Sequence, residues 1–184
     1  MRKLAFGVLG TAVLALAGQA QAAVTVIGGG MAKSCAEAAL NGMSDRRSEE
    51  TCNLALDTEL LSPRDRAGTY VNRGIIKLRR TEYTSAKHDF DRAVGLKPDL
   101  GEIYVNRGAA MIGMRRYQEG LSDLNRALEL GLEEIEKAYF NRALAYEGLD
   151  DMRSAYFDYQ KALELKPDWE DPKRELSRFT VTRR

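Results

Sequence analysis

The chain has 184 residues, with 28 lysines and arginines against 27 aspartates and glutamates and a formal charge of +1. Near-neutrality excludes a global electrostatic drive towards nucleic acid. A content of 44% hydrophobic and 8% aromatic residues suits a soluble, mostly helical domain around one core and excludes wholesale disorder.

Residues 1–22, MRKLAFGVLGTAVLALAGQAQA, set Arg2 and Lys3 ahead of an apolar run from Leu4 to Ala17 and end in Ala20-Gln21-Ala22. Basic flank, short apolar run and small-x-small ending make up a cleavable export signal. An uncleaved anchor is the alternative, but the run falls short of the roughly 20 residues that span a bilayer. Cleavage after Ala22 leaves about 162 residues with a charge near −1, in the periplasm or secreted. Residues 23–31, which include VTVIGGG, show no periodicity and are expected to form a flexible segment.

In 32–66 the stretches SCAEAAL and ETCNLALDTELL read as a helical pair ahead of Ser62-Pro63. In an exported chain its two cysteines, Cys35 and Cys52, are candidates for one disulfide, which in the chain-entropy view stabilises by about 3 kcal/mol. Two buried thiols are the alternative. A zinc site would need further ligands, and the only histidine, His88, is far along the chain, so no metal is expected.

YVNRG occurs at Tyr70–Gly74 and again at Tyr104–Gly108, and YFNRA follows at Tyr139–Ala143, at spacings of about 34 residues. Once these are superposed, Tyr83, Ala86, Phe90, Ala93, Leu96 and Pro98 share columns with Tyr117, Gly120, Leu124, Ala127, Leu130 and Leu132. Met152, Ala155, Tyr159, Ala162, Leu165 and Pro167 complete the third unit. Steps of three and four predict two helices per unit. The small residues Gly74, Gly108 and Ala143 face Ala86, Gly120 and Ala155, as close helix approach requires, and Pro98 and Pro167 end the second helices. One extra residue between Gly131 and Glu136, and Leu132 in place of proline, predict a looser second turn.

These columns resemble the tetratricopeptide repeat, a helix-turn-helix unit of 34 residues. The resemblance implies an all-α, right-handed superhelical solenoid of three hairpins, 67–100, 101–135 and 136–170. A capping helix in 171–184 is read from Asp171-Pro172 and from Leu176 and Phe179 three apart, followed by a basic tail.

The recurrent Asn-Arg pair separates into two roles. Arg73, Arg107 and Arg142 have an acidic column on the second helix, Asp89, Asp123 and Asp158, and three bidentate ion pairs are expected. Asn72, Asn106 and Asn141 have no such partner. In this family the first helices line a concave groove, and the resemblance places Val71, Asn72, Ile75 and Leu78 there, then Val105, Asn106, Ala109 and Ile112, then Lys137, Phe140, Asn141 and Leu144, with Glu147 in the last column. A carboxamide both donates and accepts, which suits a peptide backbone. A specialised version of the fold clamps acidic C-terminal tails of chaperones, but only Asn106 and Lys137 stand in its columns, whereas Val71, Ile75 and Asn141 depart from it.

No activated nucleophile or base emerges, and Gly28-Gly29-Gly30 lacks the strand and lysine of a phosphate loop, so neither an enzyme, a cofactor nor a small-molecule substrate is expected. The function implied is an exported adaptor or scaffold binding a protein or peptide in its groove. A structural protein forming homo-oligomers through groove or edge is the alternative.

Overall fold

The computed structural model describes residues 4–8, 21–26 and 30–183. A leading hairpin pairs α1 (Met31–Leu40) with α2 (Arg46–Thr58). Three longer hairpins follow: α3 (Pro63–Arg79) with α4 (Tyr83–Leu96), α5 (Gly101–Gly113) with α6 (Tyr117–Leu130), and α7 (Ile135–Gly148) with α8 (Met152–Leu165). The hairpins stack by laying α4 on α5 and α6 on α7, so that α3, α5 and α7 share the inner face. A short α9 (Glu170–Leu176) packs on α8 and ends the solenoid.

Local sequence explains the boundaries. Ser62 caps α3 by accepting from the Asp65 amide at 3.1 Å, and Pro63 takes the first turn, where its missing N–H costs nothing. The first repeat therefore starts ahead of residue 67. Within the second hairpin a Cβ on Gly108 would lie 2.9 Å from Leu124 Cγ and 3.2 Å from the Gly120 carbonyl oxygen, so the paired small residues do set how closely α5 and α6 approach. The extra residue of the second unit does not loosen the turn. Residues 131–134 form a link as short as 97–100, and α7 instead begins one residue earlier relative to Tyr139 than α5 does relative to Tyr104. Gly131, at φ 79°, closes the turn that proline closes elsewhere.

Two segments depart from expectation. Of the flexible stretch expected over 23–31, residues 23–26 lie packed on the inner face, with Val24 and Val26 buried. Phe179, expected on the capping helix, instead opens a strand, β2 (Phe179–Arg183), which pairs antiparallel with β1 (Leu4–Val8) so that Phe6 faces Val181. The β-branched run Thr180-Val181-Thr182 disfavours continued helix and favours that ladder. Of the leader read in 1–22, residues 1–3 and 9–20 lie outside the described residues. No helix among the described residues is long and apolar enough to cross a membrane.

Cys35 on α1 and Cys52 on α2 are joined by a disulfide across 17 positions, and Ile76 of α3 packs against the pair. Reduction, or Cys52→Ser, should lower unfolding stability by about 3 kcal/mol in a urea titration. An unchanged midpoint under reductant would show that packing on Ile76 holds the leading hairpin by itself.

Candidate functional site

On the inner face the two asparagines of the first and second repeats act on one extended segment of the chain itself. Asn72 accepts from the Val24 amide at 3.1 Å and donates to the Val24 carbonyl at 2.8 Å. Asn106 does the same for Ala22, at 3.1 and 2.7 Å, and also donates to the Glu102 carbonyl one turn back. Each carboxamide thus completes both backbone hydrogen bonds of one residue, as a neighbouring strand would. The bonded residues are two apart because alternate residues of an extended chain face the same way. Lys137 of α7 continues the row by donating to the Gln21 carbonyl at 2.6 Å, and is neutralised by Glu134 at 2.6 Å.

From residue 22 onward side chains follow the same alternation: Ala22, Val24 and Val26 are buried, Ala23 is half-buried and Thr25 is exposed, while Gln21 at the start of the segment is buried as well. Gly68 leaves room for this approach: a Cβ there would come within 3.0 Å of Val24 Cγ1 and 3.3 Å of Val26 Cγ2. The segment runs from α7 past α5 and α3, and Val26 finishes among Ala32, Ala36 and Ala55 of the leading hairpin.

Every apolar residue assigned to an open groove is buried. Val71, Ile75, Leu78, Val105 and Ala109 belong to the same cluster as Val24, and Ile112, Phe140 and Leu144 belong to a second one towards the C-terminus. The groove is therefore already lined with protein at the first two repeats, and the reason is the backbone pairing of residues 22 and 24. Asn141 is wholly buried in the third repeat. Glu147 does not face a groove: it accepts from the Tyr159 hydroxyl at 2.7 Å and from Arg178 at 2.9 Å, and so seats the C-terminal segment.

The arginine column is structural in its geometry. Arg73, Arg107 and Arg142 each give Nε and Nη2 to both oxygens of Asp89, Asp123 and Asp158, at 2.6 to 2.9 Å. Donation to the Asp123 and Asp158 carboxylates is the leading cause that holds Arg107 and Arg142 above the usual guanidinium range. Their Nη1 atoms reach back to the preceding hairpin, Arg73 to Asn53, Arg107 to Asp91 and Arg142 to Asn125, at 2.7 to 3.0 Å. The same guanidinium lies 5.2 to 5.4 Å from the ring of the tyrosine three residues earlier. The backward link escaped sequence reading, although the acceptors Asp91 and Asn125 stand in one column, two residues after Asp89 and Asp123. Arg107→Ala should cost about 2 kcal/mol, since it strands the largely buried Asp123 and unties two hairpins, while changing peptide affinity less than about twofold. Thermal melting and peptide titration of one preparation check both halves.

His88 is exposed on α4, and among the described residues no three metal-ligating side chains converge.

A tetratricopeptide-repeat family model matches residues 136–168. Among solved structures, the chain is similar to the Arabidopsis OM64 tetratricopeptide domain, at 23% identity over 64% of this chain and 96% of that one, with a TM-score of 0.60. It is also similar to the second such domain of human RPAP3, solved in complex with the HSP70 peptide SGPTIEEVD, at 24% identity over 63% and 96%, with a TM-score of 0.57. A third similar structure is MamA from Desulfovibrio magneticus RS-1, at 21% identity over 80% and 82%, with a TM-score of 0.62. No curated protein matches the chain. Stacked hairpins, a repeated column pattern and this likeness converge: the chain has the tetratricopeptide-repeat fold, and its residues 136–168 match that family's model.

Proposed function

We infer that the chain is an exported, non-enzymatic interaction module that binds a partner polypeptide in extended form, by its backbone, along Asn106 and Lys137, while Asn72 holds the chain's own Val24. The observation that carries this reading is the double hydrogen bonding of Val24 and Ala22 by single carboxamides. Such contacts recognise main chain rather than a particular side chain, so the inner face accepts extended peptide of many sequences while small inward side chains fit best. A domain of the same fold in RPAP3 holds a peptide of HSP70, which supports the use of this architecture for peptide capture. Export rests on the leader pattern of residues 1–22, and places the module in the periplasm or outside the cell.

The test has two readings. Mass spectrometry of the chain recovered from the cell envelope should give an N-terminus at Ala23; recovery with Met1 would overturn processing. An array of extended heptapeptides probed with the processed chain and with its Asn106→Ala variant should yield spots kept by the first and lost by the second. Spots kept equally by both would locate binding elsewhere.

A further inference from the structure

Cleavage after Ala22 also removes a strand from the far end of the molecule. β2 stands beyond the last repeat and is held on α8 by the Phe179 ring, which lies 5.6 Å from Tyr156 and 6.0 Å from Tyr159. Among the described residues its only strand neighbour is β1, and β1 falls wholly within the leader read in residues 1–22. That strand brings one ring. Phe6 stands opposite Val181 in the ladder and packs against Tyr156 at 5.3 Å and Phe157 at 6.1 Å. Processing therefore strips β2 of its strand partner and α8 of an aromatic one at the same place. What remains is an edge of unpaired backbone groups beside Phe157 and Val181, which are 46% and 40% exposed even with the leader strand seated.

We propose that the processed chain binds an extended segment of another protein as a new antiparallel neighbour of β2, with an aromatic residue in the place of Phe6. The inference rests on the export reading given above and uses none of the inner face. The leader strand shows what fits: backbone pairing along Phe179–Arg183 holds a strand of any sequence, and the site over Tyr156 and Phe157 selects a ring at the residue opposite Val181. The next position is permissive. Gly7, opposite Thr180, is exposed, and a Cβ there would meet nothing within 4 Å. An isolated strand pair is marginal in water, and packing on α8 is what makes two strands enough here. A second copy of the chain does not supply the ring, because Phe179, the one aromatic residue of β2, is already seated on its own Tyr156 and Tyr159.

The probe is the acetylated and amidated peptide of residues 2–8, Arg-Lys-Leu-Ala-Phe-Gly-Val, titrated against the chain beginning at Ala23. It should bind, and its Phe6→Ala version should bind at least about tenfold more weakly. Alternate residues of an antiparallel strand bond to the neighbouring backbone, so N-methylation at one of Ala5 and Phe6 should abolish binding and at the other should spare it. In the protein, Phe157→Ser should keep the melting temperature, since the ring is nearly half exposed, and weaken the peptide at least about fivefold. Asn106→Ala should bind the peptide as wild type does. Binding that tolerates both N-methylations or ignores the loss of the ring would overturn the proposal, and so would a peptide that Asn106→Ala no longer holds. Absence of binding, or a dimer of the processed chain that Phe157→Ser dissolves, would overturn it as well and leave the inner-face reading standing.

Discussion

Arg178→Ala should lower unfolding stability by about 4 kcal/mol, the largest effect expected of any single substitution in this chain. Glu147 of α7 and Glu175 of α9 are both nearly inaccessible, at 4% and 2% exposure, and Arg178 pairs with each. Removing Arg178 leaves Glu147 with the Tyr159 hydroxyl alone and Glu175 with only the longer contact to Arg174 Nε at 3.5 Å. Tyr159 cannot replace the arginine. Burial first, and the charge of Glu147 second, push its hydroxyl well above the ordinary tyrosine range, so it remains a neutral donor to Glu147. The expected consequence is that α9 and β2 separate from α8, uncovering Tyr156, Tyr159 and Phe179, where the Phe179 ring packs tilted or edge-on against the two tyrosines at 5.6 and 6.0 Å. Urea unfolding followed by far-ultraviolet dichroism measures the loss. Adding Glu175→Gln to Arg178→Ala should recover part of it, since one carboxylate with one tyrosine donor is less costly than two carboxylates. A midpoint within error of wild type would show that the C-terminal end is held by its rings alone.

The repeat was legible because its signal is redundant: Tyr70, Gly74, Ala86, Phe90 and their equivalents all report one period, and errors at single columns do not break the register. The second-unit insertion misled because a residue can be absorbed by a helix as readily as by a turn, and Gly131 made the former possible. Three hairpin turns carry a left-handed residue, Thr81, Arg115 and Asp150, at φ near 60°, and none is the glycine that would have marked it. The paired arginines and aspartates could be matched by charge within a hairpin. Their backward bonds to Asn53, Asp91 and Asn125 depend on the angle between hairpins, which no column states. The inner face was legible in its residues and not in its contents. Residues 21–26 form an alternation too short to distinguish a strand from a coil, and six residues gain an extended form only from the carboxamides that wait for them elsewhere in the chain. Glu147 shows the converse error: its column belongs to the groove in the family, but a half-buried arginine from beyond the last repeat, Arg178, draws it to the C-terminal end.

In the unprocessed chain, Asn72→Ala/Asn106→Ala should release residues 21–26 from the inner face while leaving the helices stacked. The two carboxamides satisfy two amides and two carbonyls of buried backbone. If the segment stayed in place without them, each group would be desolvated and unpaired, at about 1 kcal/mol or more apiece, or about 4 kcal/mol in all. Release to water avoids that penalty: Ala22, Val24 and Val26 surrender buried apolar surface and Ala23 part of its own, but the six residues recover backbone freedom worth about 1 kcal/mol or more apiece. Hydrogen exchange separates this local event from unfolding. The amides of Ala22 and Val24 should exchange at least about a hundredfold faster, whereas amides in the middle of α5 and α6 keep their protection. In the processed chain Asn72→Ala alone should suffice, since Asn106 no longer has a residue of its own chain to hold. Unchanged exchange at Val24 in both forms would mean that Val24 and Val26 are kept by packing on Gly68, and the carboxamide row would then have no hold on backbone, its own or a partner's.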